Sequence, residues 1–202
     1  MAAGSHDGGT RAGLLVVVVG LVLAWFWLPR HDAPAEASYG EMSAASPVRL
    51  KIRAIHVDAA VVPVQVSSDA VLDPPRDYRE VGWWDRSAEP GADSGQTVIT
   101  GHTVHTGGGS MDDVGRLHDG QKVDVVTRSG TMRYEVSDVR VLSQAALARS
   151  APRLFGQRHG SGRLVLVSCT DWNGSSYDSN VVVLARPLGV PQPSARRGGR
   201  SA

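Results

Sequence analysis

Leu164-Val165-Leu166-Val167-Ser168-Cys169-Thr170-Asp171-Trp172 is an apolar run that ends in a thiol and then turns polar. Its length and its valines fit a buried strand bounded by a turn. Cys169 is the only cysteine of the 202 residues, so no internal disulfide can form and the fold depends on its core. A lone thiol at the end of a strand is a candidate nucleophile wherever a base can reach it.

Working outward, the neighbouring segments are also β-like. Val48 to Ile52 alternates apolar and polar residues, and Val57 to Val66 is valine-rich, with Pro63 pointing to an edge or bend. Thr97 to Thr100 is a short strand that stops at Gly101. Lys122 to Thr127 and Thr131 to Val136 flank Ser129-Gly130 and predict a hairpin, which Val139 to Leu142 continues. Val181 to Ala185 is the last run. One short helix is predicted over Gln144 to Ala151, with Ser143 as its N-cap. Seven or eight short strands with so little helix suggest a closed or nearly closed barrel.

Residues 12–28, AGLLVVVVGLVLAWFWL, carry no charge. As a helix they span about 25 Å, enough to cross a membrane with snorkelling ends. Trp25, Phe26 and Trp27 sit at one end, as an interfacial aromatic belt would, and Pro29 stops the run. The expected organisation is a short cytoplasmic N-terminus at 1–11 and a transmembrane signal anchor at 12–28. A flexible tether at 29–47, a catalytic domain at 48–188 and a disordered tail at 189–202 follow. Ala35-Glu36-Ala37 is an alternative cleavage site for a signal peptide. Either reading places the domain outside the cytoplasm, and the first makes the protein single-pass in the cell membrane. The 21 basic and 20 acidic residues give a net charge of +1, which argues against a nucleic-acid partner.

A thiol nucleophile needs a base, and His102 stands out among the histidines. It follows a predicted strand and Gly101, which permits a close approach of strand end to strand end. His105 and His118 read as solvent-facing. Zinc binding by Cys169, His102 and His105 lacks any recognisable ligand spacing. Asp112 and Asp113 read as a solvated loop rather than a Ca²⁺ site. Trp83 and Trp84 read as core or rim packing, and Trp172 as a residue lining a substrate groove.

The order of four stretches resembles the sortases, membrane-anchored cysteine transpeptidases of Gram-positive bacteria. They are Val57 to Val64, Gly82-Trp83-Trp84 through Gly101-His102-Thr103, Leu117-His118-Asp119-Gly120-Gln121 to Val136, and Leu166 to Trp172. The Gly-Trp-Trp segment and the short connections look most like the actinobacterial class E/F members. The resemblance implies an eight-stranded sortase-type β-barrel with short helices. It implies that Cys169 attacks a C-terminal sorting signal, often LPxTG-like, and that His102 moves protons for the leaving and entering amines. The expected partners are a sorting-signal peptide of secreted surface proteins and an amine of a peptidoglycan precursor or a pilin lysine. No cofactor and no metal is required. A cysteine peptidase that mainly hydrolyses, or a non-catalytic binding module on the same barrel, are the alternatives.

One departure is visible. The family's third residue is an arginine shortly before the last strand, whereas Tyr177-Asp178-Ser179-Asn180 contains none. Asn180 is one substitute as an oxyanion donor. An arginine from another loop, such as Arg116 or Arg163, is a second.

Overall fold

The computed structural model describes residues 37–67, 71–158 and 161–193. Among these residues, nine strands form one sheet. They are β1 (Tyr39–Gly40), β2 (Pro47–Ile52), β3 (Val57–Val64), β4 (Val81–Trp84) and β5 (Gln96–Gly101), followed by β6 (Lys122–Thr127), β7 (Gly130–Ser143), β8 (Arg163–Trp172) and β9 (Tyr177–Pro191). The order β9-β7-β6-β2-β3-β4-β5-β8 closes through a β8–β9 pairing, so eight strands make a barrel. The short β1 adds to the far end of β9. β3–β4 and β5–β8 are parallel, and the remaining pairs are antiparallel.

Closure explains the sequence pattern. The strands alternate between an interior and an outer layer. Ile99, Leu164, Leu166, Val181 and Val183 pack inside with Leu50, Val125 and Tyr134. Val98, Val165, Val182 and Leu184 form a second, outward cluster. That outer cluster is covered by the helix α1 (Gln144–Phe155), which inserts Leu154. β5 is therefore buried along its whole length, its polar Gln96, Thr97 and Thr100 included, with Val98 facing the outer cluster and Ile99 the interior.

Several elements run further than their sequence signals. α1 was expected to stop at Ala151 before Pro152, yet it continues to Phe155. A helical proline costs one backbone hydrogen bond, and burying Leu154 and packing Phe155 on the outer cluster offsets it. Ser143 caps the helix as expected, accepting from the Ala146 N–H at 3.3 Å. β3 ends at Val64 with Pro63 inside it, and β7 is one strand of 14 residues. β9 starts at Tyr177 and runs through Gly189 to Pro191, into the stretch expected to be a disordered tail. Tyr39–Gly40, within the expected tether, pairs with Pro191 and Val190. Gly189 makes that approach possible: at its φ of +113° a Cβ would come within 2.4 Å of the Gly40 carbonyl oxygen.

No helix among the described residues is long and apolar enough to cross a membrane. The expected anchor at 12–28 lies outside the described residues.

Leu166 is fully buried between strands, whereas Val141 is 59% exposed. Leu166→Ala is expected to cost about 2–5 kcal/mol in denaturant unfolding. Val141→Ala should stay within roughly 0.5 kcal/mol.

Candidate active site

β5 and β8 run parallel in unbroken register from Gln96 opposite Arg163 to Thr100 opposite Val167. Carried two residues on, that register sets His102 level with Cys169. On the other side of β8, Cys169 lies opposite Asn180 of β9. By the alternation of the strands, Cys169 and Asn180 share the outer face with Val165, Val167 and Val182, and His102 follows the outward Val98 and Thr100. The register thus places the three polar residues at one end of the barrel, toward its outer face.

The two strand ends are tied by side chains as well as by the ladder. Ser168, 2% exposed, donates from Oγ to the Gly101 carbonyl at 2.9 Å. Its oxygen also lies 2.7 Å from Thr103 Oγ1. The His102 ring is half-buried, with Nε2 2.7 Å from the Pro75 carbonyl oxygen. A carbonyl can only accept, so Nε2 carries the proton of that bond and Nδ1 is left as the nitrogen free to take one. This contact, from the β3–β4 connection, had no signal in the sequence.

Gly101 works by close approach rather than by a special backbone angle. A Cβ there would lie 2.8 Å from Met111 Cγ and 2.9 Å from Ser110 Oγ. The connection after His102 needs that space because it caps the barrel end, burying Met111, Val114 and Leu117 in the interior cluster. Asp112 holds the connection in shape: its two carboxylate oxygens accept from Val104 N at 2.7 Å and Gly109 N at 2.9 Å. Asp113 faces Arg116 instead, at 3.3 Å.

His105 and Trp172 stack at 4.3 Å between ring centroids with 4° between planes. Tyr177 tilts against Trp172 at 5.0 Å. Trp172 therefore joins the β8–β9 hairpin to the capping connection. His105 and His118 are exposed, and His118 bonds to Gln121 at 2.9 Å. Trp83 is core, and Trp84 packs on the outer cluster.

Neither arginine suggested by the sequence is set beside Cys169 by the strand register. Arg163 begins β8, at the opposite end from Cys169, and donates to the Gln96 side chain and to the Arg153 carbonyl. Arg116 is 76% exposed in its side chain and sits with Asp113. Across β9, Leu142 lies opposite Asn180 and Arg140 opposite Val182, with the Arg140 guanidinium bonded to Asp138. Asn180 is the polar residue the ladder puts directly beside Cys169.

Burial pushes the Cys169 thiol pKa up from its ordinary value, so the neutral S–H predominates near pH 7. Alkylation of Cys169 by iodoacetamide should be slow at neutral pH and rise with a midpoint above that of an exposed cysteine. A midpoint below that value in the pH–rate profile would contradict this picture. Gly101→Ala should displace the capping connection, seen as a lower melting temperature.

Residues 50–188 match the sortase domain family. No curated protein matches the chain. Sortase C-1 of Actinomyces oris is similar at 22% identity and a TM-score of 0.55, over 72% of this chain and 76% of that one. Sortase A of Corynebacterium diphtheriae, a lid mutant, is similar at 16% identity and 0.56, over 95% and 86%. Sortase C of Streptococcus pneumoniae is similar at 15% identity and 0.54, over 73% and 70%. At these identities the likeness is one of fold. The match of the family over most of the chain, on a barrel closed as described, establishes that this chain belongs to the sortases, the cysteine transpeptidases.

Proposed function

We propose that Cys169 is the nucleophile and His102 the proton carrier of a transpeptidase that cleaves a C-terminal LPxTG-like sorting signal. The observation that carries this reading is the register that sets His102 level with Cys169 on an outward face.

The steps follow from the protonation states. Cys169 starts as a thiol, so attack on the threonine carbonyl carbon requires its proton to pass to His102 Nδ1. The carbonyl π pair moves onto oxygen, where the Asn180 amide is the adjacent donor. Collapse breaks the Thr–Gly bond, and His102 returns the proton to the departing glycine amine, leaving a thioester on Cys169. An amine then attacks and gives its proton to His102, the C–S bond breaks, and the departing thiolate takes that proton back from His102. An uncharged amide stabilises an oxyanion less than a guanidinium does, so this site is expected to acylate slowly.

The acceptor in this reading is an amine of the cell wall or a pilin lysine. Support for the second comes from the similar Streptococcus pneumoniae sortase C, whose structure is described in terms of pilin substrate specificity. The reading also places the chain in the cell membrane through 12–28, with the domain outside, and with the class E/F members on the strength of Gly82-Trp83-Trp84. Hydrolysis is the competing outcome of the thioester.

The test is intact-mass spectrometry with an LPxTG peptide, with and without diglycine. Wild type should form an adduct that diglycine converts to a ligated product. Cys169→Ala should form none, and retained turnover there would sink the assignment. His102→Ala should lower kcat/KM by about 10²–10⁴-fold, and His105→Ala by no more than a few-fold. Asn180→Ala should lower kcat by roughly tenfold with little change in KM. Water outcompeting diglycine would favour the peptidase reading.

A further inference from the structure

The β5–β8 ladder ends at Thr100 and Val167. His102 and Cys169 lie beyond it, where two twisting strand ends diverge unless something else binds them. The hydroxyls of Ser168 and Thr103 occupy that gap. From their geometry we propose that Ser168 and Thr103 are positioning residues, a two-hydroxyl clamp that holds His102 against Cys169 after the backbone pairing has stopped. The proposal rests on the reading of His102 and Cys169 as the reacting pair.

The proton count gives the clamp a direction. The Gly101 carbonyl only accepts, so the single Ser168 proton is committed there at 2.9 Å. Ser168 Oγ can then only accept from Thr103, at 2.7 Å. The other acceptor within reach of Thr103, the Met111 carbonyl, is 3.4 Å away. The chain therefore runs from Thr103 to Ser168 to Gly101. It grips the residues on both sides of His102 from the residue immediately before Cys169. Ser168 is almost fully buried, where such bonds are strong and an orphaned hydroxyl is costly. The His102 ring is held separately by Pro75. Loss of the clamp therefore leaves the ring with its own partner but frees the main chain that carries it. Proton transfer is sensitive to misplacement on the scale of an ångström.

Ser168→Ala and Thr103→Val remove one hydroxyl each, from different elements, and Thr103→Ser keeps it. Two readouts are taken on the full chain: acylation by an LPxTG peptide, and the ¹⁵N resonances of the His102 imidazole without any substrate. Ser168→Ala and Thr103→Val should each slow acylation by about tenfold or more with KM within about twofold. The double variant should be no worse than about threefold beyond either single variant, since both break one chain. Both should shift and broaden the His102 signals, while Thr103→Ser matches wild type in rate and spectrum. Unchanged His102 signals in both hydroxyl-less variants would overturn the clamp. So would full additivity of the two losses, or a Thr103→Ser variant as impaired as Thr103→Val. Should wild type form no adduct while the resonances respond as expected, the substrate reading fails and the clamp stands. Should the Cys169 adduct form at wild-type rate in both variants, the clamp fails and the substrate reading stands.

Discussion

β8 is hydrogen-bonded on both edges, to β5 in parallel and to β9 in antiparallel register. That double pairing closes the barrel, and nearly everything else depends on it. Closure removes the free edges that an eight-stranded sheet would otherwise expose. It also leaves no freedom in register, because a slip of one residue would turn Leu164, Leu166 and Ser168 outward and send Val165, Val167 and Cys169 into the core. The position of the thiol on the outer face is thus a consequence of core packing along β8, not of any local preference of cysteine.

The same constraint accounts for the division of labour around the site. Strands supply Cys169 and Asn180, whose relative placement is rigid. His102 and the capping connection are held by side chains: the Ser168 and Thr103 hydroxyls, the Asp112 carboxylate on two backbone N–H groups, and the His105–Trp172 stack. His102 lies just outside the ladder, with its ring held by the Pro75 carbonyl. The cost is that its position rests on a few polar contacts rather than on a sheet.

Much of this was legible in the residues. Strand-like runs reaching Gly101 and Cys169 marked two neighbouring strands, although β8 runs past the thiol to Trp172, and the Ser143 cap marked the helix start. What was not legible depended on contacts distant in sequence. Nothing in Asp73-Pro74-Pro75 announces that a carbonyl from that stretch holds His102. Nothing around Trp172, three residues beyond the thiol, announces its stack on His105, which joins the end of β8 to the capping connection. Arg163 was a candidate only because linear sequence hides which end of a strand a residue occupies, and Arg116 lies in the capping connection, paired with Asp113. The extent of α1 past Pro152 and of β9 to Pro191 reflects tertiary burial and pairing overriding local stop signals.

The small β1 strand has a mechanical meaning. Tyr39 and Gly40 pair with Pro191 and Val190, and Gln192 N bonds Ser38 O at 2.9 Å. The chain therefore enters and leaves the described domain side by side, at the pole opposite Cys169. The ten residue steps of β9 from Asn180 to Val190 span roughly 33 Å of strand. When the two ends of the described domain are pulled apart, the load falls first on this two-residue seam, which opens like a zipper one bond at a time. The barrel closure and the thiol pole lie beyond the seam and bear no load until it has parted.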